Sequence, residues 1–88
     1  MLTFQARVLI SLRPSVLDPA GEATRSAAAR LGIEGIEKLR IGKSVDLFVK
    51  AENELEARHR LEFLADRLLA NPVIEDWNLE IMHTTNLQ

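Results

Sequence analysis

The 88-residue sequence predicts an α+β fold: four antiparallel strands forming one sheet, with two helices on one of its faces. Three observations predict it. Apolar residues alternate with period two through Leu2–Leu12 and again through residues 45–49, the spacing of strands with one buried face. Two other segments carry apolar residues at helical spacing, each opened by a capping residue. The two kinds of segment follow one another in the order β-α-β-β-α-β, which right-handed crossovers fold into a split βαβ, ferredoxin-like sandwich.

In the first strand Leu2, Phe4, Ala6, Val8, Ile10 and Leu12 alternate with Thr3, Gln5, Arg7 and Ser11, and Leu9 is the one apolar exception. Arg13-Pro14-Ser15 ends it. Asp18-Pro19 then reads as a helix start, because an Asp side chain caps free N–H groups and Pro at the first helical position gives up no needed donor. Ala20, Ala23, Ala27 and Leu31 share one helical face, whose small residues imply close approach to the sheet, and Gly32 is the stop. Residues 36–41 alternate again and predict a second strand. Gly42-Lys43-Ser44 predicts a hairpin turn into a third, with Val45, Leu47 and Val49 on its inner face. Asn53 with Glu56 forms a capping box for the second helix, which turns Ala57, Leu61, Leu64, Ala65, Leu68 and Leu69 inward until Asn71-Pro72 stops it. Residues 73–82 supply the last strand, with Trp77, Leu79 and Ile81 inward. The chain reads as a single domain over 1–88, with residues 83–88 a flexible tail.

Composition excludes several classes of function. Apolar residues make up 47% and charged residues 27%, an ordinary globular balance, and no cysteine is present to form a disulfide or thiolate–metal staple. No apolar run exceeds three residues, so no segment reads as a membrane span, and the N-terminus lacks a signal-peptide pattern. These features fit a cytoplasmic protein. The net charge of −2 argues against nucleic acid as a partner. Residues 1–44 carry +3 and residues 45–88 carry −5, an asymmetry that can orient a partner. Surface scaling for this size gives roughly 5,200 Å² exposed when folded against about 14,400 Å² unfolded, or about 64% buried. That leaves little room for a deep pocket.

No catalytic or metal-binding constellation emerges. His59 lies between Arg58 and Arg60 on the polar side of the second helix, and His83 lies near the C-terminal end. The spacing of His, Asp and Glu matches no metal site, and the serines lack a matching His and acid. Glu52, Glu54 and Glu56 suit a helix N-terminus, while the adjacent strand residues Glu75 and Asp76 point to opposite faces. Gly32-Ile33-Glu34-Gly35 matches a bare GXXG but is better read as a helix end. The best polar candidate is the cluster Lys38, Arg40 and Lys43. Leu9, Phe48 and Met82 fall on the face away from the helices, with Leu9 and Phe48 expected as neighbours. Phe63 lies off the core stripe of the second helix. This shared apolar surface predicts a homodimer through the free sheet face or its edge, leaving the second helix for another partner.

Three segments carry a family resemblance: Ser15-Val16-Leu17-Asp18-Pro19-Ala20-Gly21, Arg40-Ile41-Gly42-Lys43, and Leu69-Ala70-Asn71-Pro72-Val73-Ile74-Glu75-Asp76-Trp77. In order and spacing, across most of the chain, the sequence resembles the PurS family of phosphoribosylformylglycinamidine (FGAM) synthase subunits. It departs from the family pattern at Ala20, commonly Gln, and at Pro72, commonly Thr. The resemblance implies a ferredoxin-like, dimeric subunit of purine biosynthesis, without catalytic residues or a bound cofactor. It would join a glutaminase to an ATP-dependent synthetase, so that ammonia reaches formylglycinamide ribonucleotide. ATP, Mg and glutamine would be used by those partners, the whole complex being a C–N ligase. Asp18, Pro19 and Gly21 would fix the entry to the first helix. Arg40, Gly42, Lys43 and Phe63 would meet a partner, and Leu9, Phe48 and Met82 would form the dimer face. Two other readings share the topology: an ACT-like regulatory domain that binds a small molecule, and a stand-alone acylphosphatase-like enzyme.

Overall fold

A computed structural model describes residues 1–86. Strand β1 (Leu2–Leu12) is followed by helix α1 (Pro19–Arg30), strand β2 (Lys43–Ala51), helix α2 (Glu54–Leu64) with a π-helical turn over Ala65–Leu69, and strand β3 (Glu75–Asn86). The sheet has the order β2-β1-β3, antiparallel throughout. The alternation of β1 is realised directly, since Phe4, Ala6, Val8 and Ile10 are buried beneath α2. Leu61, Ala65, Ala70 and Leu79 complete the larger cluster, and Ala51 and Ala57 close over Phe4.

The described residues form three strands rather than the four expected. Residues 33–42 take no regular structure. Instead of lying beside β2, this segment runs back to the start of α1. There the Ile41 N–H donates to Asp18 Oδ2 at 2.7 Å, and Arg40 Nη2 donates to the Arg13 carbonyl at 2.8 Å. Alternation records that one side of a segment is drier than the other, and it does not name the neighbour. The expected hairpin at Gly42 is absent as well. Lys43 already belongs to β2, and Gly42 lies outside the left-handed region. A Cβ on Gly42 would lie 2.7 Å from the Ile10 carbonyl oxygen, so glycine there permits close approach and not a turn.

Helix α1 starts and stops where its sequence predicts. Asp18 Oδ1 accepts from the Gly21 N–H at 2.9 Å, with Pro19 as the first helical residue. At the far end Gly32, at φ +89°, follows a Schellman pair in which Gly32 N–H bonds to Ala29 O and Ile33 N–H to Ala28 O. Among the described residues the helix makes no extensive packing on the sheet, however. Ala20, Ala23 and Leu31 of its apolar stripe are exposed, and Ala27 is half-buried. An apolar stripe requires a partner, and the sequence does not state that the partner is the same chain.

Helix α2 is capped by Asn53, whose side chain accepts from the Glu56 N–H, while Glu56 accepts from the Glu52 N–H. Ala57, Leu61 and Ala65 are buried as expected, but Leu68 is 73% exposed. The π turn, closed by Ala70 N–H to Ala65 O at 2.9 Å, widens the last turn and rotates Leu68 out of the stripe. Asn71 then folds the chain into a turn, and β3 begins at Glu75. The strand continues past the expected end at Met82, pairing backbone through Leu2↔Asn86. Of the anticipated tail, Leu87 and Gln88 lie outside the described residues.

The outcome is an elongated chain. Its radius of gyration is 17.0 Å, against about 12 Å for a compact chain of this length. Its surface is 6257 Å², so about 56% of the unfolded surface is buried rather than the expected 64%.

Candidate functional site

The three segments that carried the family resemblance meet at one end of the sheet. The register places Ile10 opposite Lys43 on one side, and Leu12 opposite Glu75 on the other. The end of β1 therefore lies between the starts of β2 and β3. Lys43 Nζ reaches Glu75 Oε2 at 3.4 Å, joining the two outer strands. Glu75 also accepts from the Asn71 N–H at 2.7 Å. That backbone bond, helped by Lys43, holds its carboxyl below the usual range against the opposing effect of desolvation.

Arg13 is the hub of this end. Its N–H donates to the Ile74 carbonyl at 2.8 Å, its Nη2 donates to the Pro72 carbonyl at 2.6 Å, and its Nε pairs with Asp76 at 3.3 Å. Its own carbonyl accepts from Arg40. Asp76, Pro72 and Trp77 line an open groove of about 380 Å³ beside it. Sequence reasoning read Arg13 only as the end of the first strand and set Glu75 and Asp76 aside. The strand alternation that separates those two carboxylates also delivers them to different cations, Lys43 and Arg13.

Asp18 ties α1 to the same end. Its two oxygens accept from Ile41 N–H and Gly21 N–H, and these bonds lower its pKa in that order of importance. Gly21 is in contact with the returning chain: a Cβ there would meet the Leu39 carbonyl oxygen at 2.2 Å. Arg40 and Lys43, expected to present charge outward, both have partners within the chain, while keeping exposed surface.

The proposed dimer residues are more dispersed than expected. Leu9 lies opposite Ser44 and Phe48 opposite Gln5, so the two are not neighbours. The Arg7–Asp46 pair, 2.7 Å from Nε to Oδ1, stands between them. Met82 is the extra residue at a register shift, between Ile81 opposite Ala6 and His83 opposite Gln5. Phe63 is far from all three. It lies on α2 with the Arg67 guanidinium 4.9 Å from its ring centre. It also lines an open, largely apolar groove of about 720 Å³ with Val49, Leu61, Leu64 and Leu68.

The PurS family model, described as phosphoribosylformylglycinamidine (FGAM) synthase, matches residues 5–83. The chain belongs to the PurS family. Among its relatives, the PurS subunit of FGAM synthase from Synechocystis sp. is 44% identical over 79 residues, spanning 90% of this chain and 79% of that protein. The corresponding subunit from Mycobacterium leprae is 40% identical over 75 residues, spanning 85% and 91%. Among solved structures, a chain of PurLQS from Thermotoga maritima superposes with a TM-score of 0.85 at 31% identity, covering 91% of this chain and 98% of that one. PurS from Bacillus subtilis gives 0.78 at 33% identity, covering 91% and 99%. The PurS resemblance read from the three segments is thus correct.

Proposed function

We propose that this PurS-family chain is the adaptor subunit of FGAM synthase in purine biosynthesis, acting in the cytoplasm as a homodimer. It holds a glutaminase and an ATP-dependent synthetase in register, so that ammonia passes to formylglycinamide ribonucleotide without loss to water. ATP, Mg and glutamine are handled by those partners, and this chain makes and breaks no bonds itself. Its ferredoxin-like arrangement, with a fourth strand near residues 36–41, belongs to the assembled state.

One observation carries the reading: the family's three sequence segments converge on one exposed end of the sheet, where Arg13, Lys43 and Asp18 cross-connect them. A surface built from three separated segments and fixed by internal ion pairs suits rigid recognition by a larger protein. The likeness to a chain of PurLQS supports the same assignment.

The test is reconstitution with purified glutaminase and synthetase. Adding this chain is expected to restore glutamine-dependent amidation while leaving ammonium-dependent amidation unchanged. Equal glutamine-dependent rates with and without the chain refute the adaptor role.

A further inference from the structure

Strand β3 (Glu75–Asn86) pairs with β1 along one side, and among the described residues no strand lies along its other side. The Arg13 N–H bonds to the Ile74 carbonyl where this pairing begins. Bonded pairs recur at every second residue of an antiparallel ladder, so the backbones of Asp76, Asn78 and Glu80 turn to β1. The N–H and C=O groups of Trp77, Leu79 and Ile81 then turn to the outer edge, a row that an added strand can bond.

The charge along this edge has one sign. From residue 75 to residue 82 the strand carries Glu75, Asp76 and Glu80 and no Lys or Arg, although Lys is the residue that commonly guards an open edge. Lys43 and Arg13 offset Glu75 and Asp76, but Glu80 makes no ion pair among the described residues, and Arg7 opposite it is engaged by Asp46. Asp66 has no ion-pair partner among them either. It lies on the π turn and lines the groove of about 380 Å³ at the start of the strand, with Asp76 and Trp77. Arg13, the one cation lining that groove, is already bonded to Asp76 and to the Pro72 carbonyl. A second copy of β3 is a poor occupant of the edge. Antiparallel pairing centred on Asn78 would set Asp76 against Glu80, and like charges directly opposite are destabilising.

We infer that the outer edge of β3 receives an extended, basic segment of a larger subunit, which adds as a strand on Trp77, Leu79 and Ile81 and places a Lys or Arg side chain in the groove between Asp66 and Asp76. This rests on the adaptor reading and deepens it, by naming the edge that meets a larger subunit and the chemistry of what it meets. In strand addition the backbone bonds supply affinity and the side chains supply the choice of partner. Trp77 contributes to that choice, since indole is the aromatic ring that best attracts a cation.

Amide hydrogen exchange tests the edge without altering the chain. The full chain is exchanged alone, with the purified synthetase and with the purified glutaminase, and single amides are read by NMR after release from the complex. The expected result is that one of the two subunits slows exchange at Trp77, Leu79 and Ile81 by roughly tenfold or more. Unchanged exchange with both subunits overturns the inference. So does full protection in the chain alone, which means that the edge is occupied without them. The double change Asp66→Lys and Glu80→Lys tests the charge; both side chains are exposed, and circular dichroism verifies the fold. Binding of the protecting subunit should weaken roughly tenfold at low salt and much less at high salt. Equal affinity for parent and variant overturns the basic partner. The reconstitution assay keeps the two readings apart: glutamine-dependent amidation restored by the chain, with no protection at the edge, leaves the adaptor role standing and removes this inference alone.

Discussion

Replacing Gly21 by Ala tests whether the start of α1 is packed against the returning chain as tightly as its contacts indicate. In an exposed helix interior this change stabilises by about 1 kcal/mol, because Ala loses less backbone entropy than Gly. Here the new Cβ would lie 2.2 Å from the Leu39 carbonyl oxygen and 2.9 Å from Asp18 Oδ2. The first neighbour is backbone, so about 1 Å of displacement is required at Leu39, two residues from the Ile41 N–H that Asp18 holds. Overpacking of this kind costs roughly 1–3 kcal/mol, and a backbone clash belongs at the upper end. The net expectation is destabilisation by about 1–2 kcal/mol, a fall in Tm of roughly 4–15 °C for a chain of this size. Thermal unfolding by circular dichroism, at one fixed protein concentration because self-association makes Tm concentration-dependent, measures it. A Tm equal to or above that of the parent shows that Leu39 is not seated against α1 and refutes the close packing of residues 39–41 on the start of that helix.

Two further outcomes follow from the same end of the sheet. The combined change Arg40→Glu and Lys43→Glu removes the Arg40–Arg13 bond and places a carboxylate beside Glu75, whose side chain is only 12% exposed, so stability should fall modestly while the exposed positions of Arg40 and Lys43 leave the fold in place. Co-purification with the glutaminase and synthetase should therefore fall at moderate salt while circular dichroism is unchanged, and undiminished co-purification removes both residues from the partner surface. Acid should weaken the fold through Asp18 and Glu75. Both carboxyls have lowered pKa values in the folded chain, so their contribution is present above the unfolded carboxylate range and is lost as the pH falls through about 4 and below. Urea midpoints measured between neutral and acid pH should decline in that window, and more shallowly for Asp18→Asn, which no longer titrates; identical slopes for parent and variant refute the role of Asp18.

What the sequence made legible was local. The cap at Asp18-Pro19, the Gly32 stop, the Asn53–Glu56 box and the alternation of β1 each depend on residues within a few positions of one another, and each is realised. The departures are all questions of neighbour. Residues 36–41 have the alternation of a strand, yet Asp18 fastens Ile41 to α1, and among the described residues β2 has no outer strand. Ala23 and Leu31 have the spacing of a buried stripe and remain exposed. Leu68 follows helical spacing only until the π turn adds a residue. Leu9 and Phe48 share a face but not a register position. Arg13 is the hardest to read, because two of its partners are the carbonyls of Pro72 and Ile74, and backbone acceptors leave no pattern in a sequence.

The distribution of charge at the sheet end bears on what the family's segments do. A surface specialised only to attract a partner keeps its cations free, since an exposed charge already paired with a carboxylate projects a weaker field. Here Lys43 faces Glu75, Arg13 faces Asp76, and Arg40 is turned to a carbonyl. The same bonds join the two ends of the segment 13–43 to each other and to the start of β3. Charge spent internally at that place fixes the path of the chain between β1, α1 and β2. The motif residues thus act first on the chain's own geometry, holding three separated segments together at one end of the sheet.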